Sequence, residues 1–580
     1  MKNLLRLASC IFVLLSAVSA FSQTTFCPDD PPRNSFLADS PWPTYHRNNY
    51  AQSSTCIPGP RPGDSLIIGA KTNIRGGTSP WVYLSDRYPN GQRVLYYSNS
   101  THVFKFVDNG TDLVTADSLR IDFDPITSFG WNFLLTNHKV WYTYDPKYDP
   151  SQGEYPRLFK LTDADTTDPL SDIIVLDTLN LQGFTPENIQ GFNLNYLGQI
   201  MYNSTANDSL GYATVGVIDA NFNILDTLNY PTAPGEIVHH NAFPIDEDNS
   251  MYVVTTHRLI KFAWDGTDLS REWQANYDFV LDGPTGSFAE GSGTTPTLMG
   301  FGLGNDQLIV VADGHADNNL VAFWRELPPG WTGVPGMDLR FADSIRIPLA
   351  SSFSNIFQSI ENSPTVRGYD VGIAQFNGFL GYDCNNIKGV QKITWDTAAD
   401  SFFVAWTNGQ VNMNGVLNYS AGSNLVYCSG KEADCNYYYY GVNWTTGNLD
   451  FRVLLGPEGT FTDDPYYDAG NNNLIDEDGS IYFSGGASLV KVEVAQRAVA
   501  ATAPEEFHLH LYPNPARDVL RFTVEGAAVE SVRLYDLQGQ ERGQFGPGTE
   551  AISVGALAAG MYLLRIETDR GSVTRRWVRG

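Results

Sequence analysis

The chain is poor in the residues that most readily announce a chemistry. It has six cysteines, none of them spaced as Cys-x-x-Cys. That excludes zinc ribbons, thioredoxin-like redox motifs and c-type haem attachment. Basic residues are scarce: 37 Lys and Arg stand against 64 Asp and Glu, a formal net charge of -27. Nucleic acid is excluded as a partner, because binding it needs clustered cations that displace counterions. No apolar run after the first twenty residues is long enough for a membrane span. Helical periodicity is rare. The Gly-x-Gly run at Gly300, Gly302 and Gly304 precedes no predicted helix, which removes a phosphate-loop reading.

What the chain has in quantity is short apolar runs separated by Gly, Asn, Asp and Pro clusters. That is an all-β composition. Two stretches nearly repeat each other. Ile245-Asp246-Glu247-Asp248-Asn249-Ser250-Met251-Tyr252 leads to Leu259-Ile260-Lys261, and Ile475-Asp476-Glu477-Asp478-Gly479-Ser480-Ile481-Tyr482 leads to Leu489-Val490-Lys491. Each is an acidic turn followed by two strands. Similar strand pairs recur at 94–97/103–106, 140–144/158–161, 200–202/215–218, 308–311/320–323, 371–374/390–393 and 425–427/438–442. About eight copies at a spacing of roughly 46 to 63 residues match β-propeller blades of about four strands. The spacing predicts an eight-bladed propeller, with seven blades as the alternative. A strand from the N-terminal side is expected to complete the last blade, either the segment after Trp42 or the run near Leu66, Ile67 and Ile68.

The chain ends give an address. Lys2 and Arg6, an apolar stretch from Ile11 to Val18, and Val18-Ser19-Ala20 read as a signal peptide over residues 1–20. Residues 21–89 read as an N-terminal arm and the start of the propeller, 90–494 as blades, 495–507 as an Ala-rich linker and 508–580 as a small immunoglobulin-like β-sandwich. Export permits disulfides. Cys27 and Cys56 are placed to staple the arm and Cys428 and Cys435 to cross-link one hairpin. Cys384 is then left over, or takes Cys428 or Cys435 instead.

Three blocks in the tail carry a resemblance. Leu511-Tyr512-Pro513-Asn514-Pro515-Ala516-Arg517-Asp518 is followed by Tyr535-Asp536-Leu537-Gln538-Gly539-Gln540 and then by Ala559-Gly560-Met561-Tyr562-Leu563. In this order the tail resembles the type A sorting domain of the type IX secretion system of Bacteroidetes. The resemblance implies Sec export, passage across the outer membrane through the type IX machinery, and release or surface attachment. It makes Tyr512, Pro513, Asn514, Pro515, Gly539, Gly560 and Tyr562 the sorting-signal positions. The body resembles the quinoprotein (PQQ-like) propellers, through its blade turns, Trp264-Asp265-Gly266, Trp444-Thr445-Thr446-Gly447 and the 42–49 segment. That family's dehydrogenases use adjacent cysteines beside the cofactor. This chain has no adjacent pair, so PQQ is not expected.

No close-spaced catalytic motif stands out. His240, in Val238-His239-His240-Asn241, is a candidate base or ligand. Glu290, in Phe288-Ala289-Glu290-Gly291-Ser292, and Glu361, in Glu361-Asn362-Ser363-Pro364, occupy equivalent positions leading into successive blades. With His240 they are candidates for a general acid/base pair, a divalent-cation site or a sugar site near the axis. Asp313 and His315 close an intervening turn and are the other metal candidates. Turn roles alone also account for these residues. Asp246-x-Asp248-x-Ser250 and its copy lack the Gly and Glu of a calcium loop and read as turns. Tyr437 to Tyr440 and Tyr466-Tyr467 read mainly as core, with sugar stacking as the alternative. The first expectation is a secreted or surface propeller that binds a glycan, peptide or envelope component. The alternatives are an enzyme with an axial site, either a carbohydrate hydrolase or lyase or a divergent PQQ-like oxidoreductase, and a structural or adhesion protein.

Overall fold

The computed structural model describes residues 27–497 and 508–580, apart from 28–29, 72–80, 99–100, 111, 122–133, 138, 239–241, 278–290, 303, 314–317, 350–361, 375–383, 385–388, 414, 458–472, 486–487, 526–527, 537–539 and 569–570. The chain divides into two compact units, 1–497 and 498–580. Every regular element among the described residues is a strand.

The first unit is a succession of eight sheets. The first sheet sets the pattern: Val82–Leu84, Val94–Ser98, His102–Asp108 and Leu113–Arg120 pair antiparallel in chain order. Sheets at 134–180, 189–231, 297–346, 365–408 and 418–457 repeat it. The fourth sheet has three strands over 250–276, and the bridge between Ile245 and Met251 stands in for its first strand. The strand pairs read from the sequence are the second and third strands of these sheets. Those strands are covered on both faces by neighbouring sheets, so their sequences are near-continuous apolar runs: Val94–Ser98 and Ile200–Ser204 are buried throughout. The outer strands are covered less and become polar, as in Leu113–Arg120.

The succession closes on itself. The eighth sheet combines Asn473–Ile475, Ile481–Gly485 and Ser488–Gln496 with Ser65–Lys71, which pairs antiparallel with Ser488–Gln496 at the outer edge. Of the two segments considered for closure, the one near Leu66 is used. Tyr482 and Leu489 of the eighth sheet share a core cluster with Val94, Tyr96 and Phe106 of the first, and the Tyr482 hydroxyl donates to Asp108 at 2.5 Å. The fold is all-β and propeller-like.

Two repeated devices join adjacent sheets. The first is a bulge in the outer strand of the first seven sheets, with extra residues such as Ala116, Leu225 and Ala342. In these three strands the next residue is Asp in an Asp-Ser/Thr-Leu/Ile context. Asp117, Asp226 and Asp343 accept the backbone N–H of Ile173, Leu269 and Phe402 in the following sheet, at 2.6, 2.8 and 2.8 Å. The bulge turns the carboxylate out of its own ladder and towards its neighbour. The second device is a cross-strand Tyr/Lys pair. Tyr96 faces Lys105, Tyr252 faces Lys261 and Tyr482 faces Lys491. Lys105 Nζ lies 2.7 Å from Asp163 of the second sheet, with both side chains buried. Lys491 lies 2.6 Å from Asp108 of the first sheet. A buried charge needs such a partner, so each pair fixes which sheet faces which.

Cys27 and Cys56 form a disulfide. The proposed Cys428–Cys435 pair is corrected. Cys435 bonds Cys384, and the buried Cys428 takes part in no disulfide. Cys428 sits opposite Tyr440 in the ladder, five residues beyond Cys435. At about 3.3 Å per residue that offset far exceeds the reach of a disulfide.

The second unit has a three-stranded sheet built on His508–Tyr512, Val519–Glu525 and Ala551–Ser553, and a four-stranded sheet of Glu541–Phe545, Val529–Asp536, Gly560–Thr568 and Gly571–Arg579. Leu520, Phe522, Leu534, Leu564 and Trp577 form its core.

Candidate functional site

The centre of the first unit is organised by the N-terminal arm, residues 27–58. From Trp42 onwards it meets the eight sheets in chain order. The carbonyls of Trp42 and Pro43 accept the N–H groups of Leu84 and Leu135 in the first and second sheets. Asn49 donates from Nδ2 to the Leu194 carbonyl of the third, and its own carbonyl accepts from Ile245 of the fourth. The carbonyls of Tyr50, Gln52 and Ser53 accept from Leu298, Val366 and Tyr419 in the fifth, sixth and seventh. Ser54–Thr55 then pairs parallel with Asn418–Ser420. Arg497, at the end of the eighth sheet, donates to the carbonyls of Pro58 and Gly59 at 2.8 Å. The arm thereby satisfies one first-strand N–H in each of six sheets, groups that buried and unpaired would cost about 1–3 kcal/mol apiece.

Turning past successive sheets bends the arm sharply. His46, Arg47, Ala51 and Ser53 have φ of 52°, 79°, 58° and 48°. Left-handed backbone is disfavoured for residues with a Cβ and persists only where surrounding contacts impose it. His46 is fully buried. Its Nδ1 lies 2.7 Å from Ser53 Oγ, its Nε2 has no partner among the described residues, and burial pushes its pKa down to about 3. It is therefore a neutral imidazole at physiological pH. Its ring packs against Tyr45 at 3.9 Å between centroids, and Tyr45 against Trp81 at 4.3 Å. Asp30 bridges Arg47 and Arg367, the latter at 2.8 Å. Burial raises the Asp30 carboxyl, but the charge and hydrogen bonds of Arg47 outweigh it and hold the group below its ordinary value. Between residues 30–34 and 47–49 of the arm lies a shallow pocket with space for about one water.

The acidic turns are structural. Asp246 accepts from the N–H groups of Asp248 and Ser250 and from the Tyr252 hydroxyl, at 3.1, 2.9 and 2.6 Å. Burial raises its pKa despite those bonds and the nearby Arg325. Asp476 is pushed up to about 6, mainly by burial, against the opposing charge of Arg93. Glu247 accepts from the Tyr50 hydroxyl, which ties this turn to the arm.

His240, Glu290, Glu361 and His315 lie outside the described residues, as do Tyr466 and Tyr467. The chain flanking two of them is placed. Thr295 N donates to Ser363 Oγ at 2.9 Å, and Thr295 Oγ1 lies 3.5 Å from the Tyr45 hydroxyl. Residues five positions after Glu290 and two after Glu361 thus meet beside the arm. Asp313 accepts from the N–H and Nδ2 of Asn319 at 2.7 and 2.8 Å, closing its own turn. Tyr437, Tyr439 and Tyr440 are core. Among the described residues no group of three His, Cys, Asp or Glu is placed to hold a metal ion. In the tail, Asn514 Oδ1 accepts from Val578 N at 2.8 Å and Tyr562 stacks on Trp577. Tyr512 is half-exposed, and Gly539 lies outside the described residues.

The arm's central role and the outer-strand Asp were missed by sequence reasoning. The second had a signal, because Ala-Asp-Ser-Leu, Leu-Asp-Thr-Leu (twice) and Ala-Asp-Ser-Ile recur at 116, 176, 225 and 342. The arm has no counterpart elsewhere in the chain, so periodicity passes over it.

Residues 510–579 match the secretion system C-terminal sorting domain family. An uncharacterized protein of Archaeoglobus fulgidus is 26% identical over 459 residues, covering 74% of this chain and 83% of its own. Among solved structures, a europium-containing methanol dehydrogenase overlays with a TM-score of 0.48 at 9% identity, covering 78% of this chain and 97% of that one. PorZ, an essential bacterial surface component of the type-IX secretion system of Porphyromonas gingivalis, overlays at 0.27 and 11% identity, covering 86% and 75%. The sorting tail implies export to the cell surface or secretion and an interaction with the type IX machinery. No helix among the described residues is long and apolar enough to cross a membrane.

Proposed function

We propose that this chain is an eight-bladed β-propeller that acts outside the cell as a binding protein for a glycan, peptide or envelope ligand. A signal peptide at 1–20 takes it through Sec, and a β-sandwich sorting domain at 508–580, beyond a linker at 495–507, takes it through the type IX system. Eight sheets with equivalent strand pairs, closed by Ser65–Lys71, support the blade count. The observation that carries the binding reading is the arm. Its carbonyls over residues 42–55 are paired to the first strands, so protein fills the place where a propeller would otherwise offer a central channel, and recognition falls to the outer loops. The test is saturable binding of the purified full-length protein to isolated envelope fractions and to peptide and glycan preparations. Absence of saturable binding to all three sinks the reading. Deleting 508–580 should leave the protein inside the outer membrane of the producing cell.

A second reading, an enzyme with a site at the loop end of the axis, is favoured by the Thr295–Ser363 contact beside Tyr45. In it Glu290 and Glu361 form the acid/base pair and His240 assists. Glycoside hydrolysis abolished by Glu290→Gln and Glu361→Gln would support it. The oxidoreductase form would show as PQQ-dependent dye reduction.

A further inference from the structure

The sorting tail ends in a strand with one open side. Its four-stranded sheet runs in the order Glu541–Phe545, Val529–Asp536, Gly560–Thr568 and Gly571–Arg579, so the last strand of the chain lies at a sheet edge. Among the described residues the second unit has three other edge strands, and all are short. His508–Tyr512 and Glu541–Phe545 have five residues and Ala551–Ser553 has three. Glu541–Phe545 is also broken by a bulge, and His508–Tyr512 runs into Pro513. Short, bulged or proline-ended edges are how sheets avoid unwanted pairing. Gly571–Arg579 departs from that pattern. It has nine residues, no proline and an unbroken register against Gly560–Thr568.

Backbone direction shows which groups this edge leaves over. Val578 N donates to Asn514 Oδ1, and the Val578 carbonyl accepts from Ala516 N, both at 2.8 Å. Residue 578 therefore faces away from Gly560–Thr568, and residues 514–516 cap that end of the edge. Backbone groups alternate in direction along an antiparallel strand, so Ser572, Thr574 and Arg576 face the same way as Val578. Each presents one N–H and one C=O on a side where no described strand of the sheet lies. Residues 572–576 span about 13 Å of open edge. A short added strand fits there and draws its affinity from main-chain hydrogen bonds. The side chains select the partner. Arg575 and Arg576 are both exposed and project to opposite faces of the strand. Two copies of this edge would bring like charges together, which opposes self-pairing. A strand carrying Asp or Glu would meet a cation on either face.

We propose that the open edge of Gly571–Arg579 is where the type IX machinery docks, by adding an acidic strand of its own. The inference rests on the export reading and names the surface that carries it. The test follows full-length variants in the producing cell and measures the fraction of each outside the outer membrane. Thr574→Pro removes an N–H that the internal ladder does not use, so the domain keeps its fold while the edge loses a donor. It should lower the exported fraction at least tenfold. Arg575→Glu/Arg576→Glu should do the same, and Arg575→Lys/Arg576→Lys should export normally. Arg521→Glu, exposed on the other sheet, should leave export unchanged. Amide protection at Leu564 and Trp577, in the domain core, checks that each variant is folded. The arginine variants alter surface charge alone and decide the matter if Thr574→Pro loses that protection. Native-level export of folded Thr574→Pro, or of Arg575→Glu/Arg576→Glu, overturns the edge as the docking site, while loss of export on deleting 508–580 keeps the export reading. Normal export of that deletion overturns both. A native dimer that Thr574→Pro dissociates with export intact puts a second copy at the edge and overturns the assignment.

Discussion

Acidification should destabilise the propeller through one residue. His46 is buried and neutral, with a folded pKa pushed down from 6.5 to about 3. Below pH 6.5 the unfolded chain takes up a proton that the folded chain refuses until about pH 3, so acid favours unfolding. The loss is about 1.4 kcal/mol per pH unit, or about 2.7 kcal/mol at pH 4.5. Asp476 works in the opposite direction. Its folded pKa is raised to about 6 from 3.8, so the folded state holds its proton more tightly. Acid therefore stabilises the fold through Asp476 by about 2 kcal/mol at pH 4.5. The two nearly cancel in the native protein, and a plain acid titration would hide both. His46→Asn separates them. Asn does not titrate, can bond Ser53, and tolerates the left-handed backbone at this position better than most residues. Urea unfolding followed by tryptophan fluorescence at pH 7.0 and 4.5 should show the variant gaining about 2.7 kcal/mol on acidification relative to the native chain. Identical pH responses of the two proteins, or a greater acid sensitivity of the variant, would refute the reasoning. So would a His46 imidazole resonance that titrates between pH 7 and 5.

Three further outcomes follow from the joints between sheets and the disulfide of the arm. Lys105→Met leaves Asp163 buried without its cation and should cost about 3–5 kcal/mol by urea unfolding, most of it recovered in Lys105→Met/Asp163→Leu. Asp117→Ala removes the acceptor for Ile173 N–H. It should cost about 1–3 kcal/mol and speed hydrogen exchange at Ile173 while leaving the fifth sheet unchanged. Cys27→Ser/Cys56→Ser opens a loop with a sequence separation of 29 residues. The chain-entropy model gives a loss of roughly 3.5 kcal/mol, and reduction of the native protein should reproduce it beyond whatever Cys384→Ser/Cys435→Ser loses.

The sequence by itself determined the all-β class, the repeated strand pairs and the identity of the tail. All three are local or periodic. Strands buried on both faces must be apolar runs, as at Val94–Ser98 and Ile200–Ser204. A turn such as 246–250 must carry an Asp that caps its own backbone. A sorting tail keeps three blocks in order along one short domain. Such patterns are legible because each residue's reason lies within a few positions of it. The candidate site was less legible. Glu290 and Glu361 were paired by their equivalent places in the repeat, and the structure brings their flanking residues Thr295 and Ser363 together, but the repeat says nothing about what lies between them.

Tertiary structure decided the rest. Cys435 has Cys384 rather than Cys428 as its partner because ladder register, not sequence distance, sets which thiols meet. The arm became the centre of the first unit because the first strands need acceptors for their N–H groups, and a non-repeating segment from the N-terminus supplies them sheet by sheet. In each case the deciding force acts between residues far apart in the chain, and only closure of the ring brings them within its range.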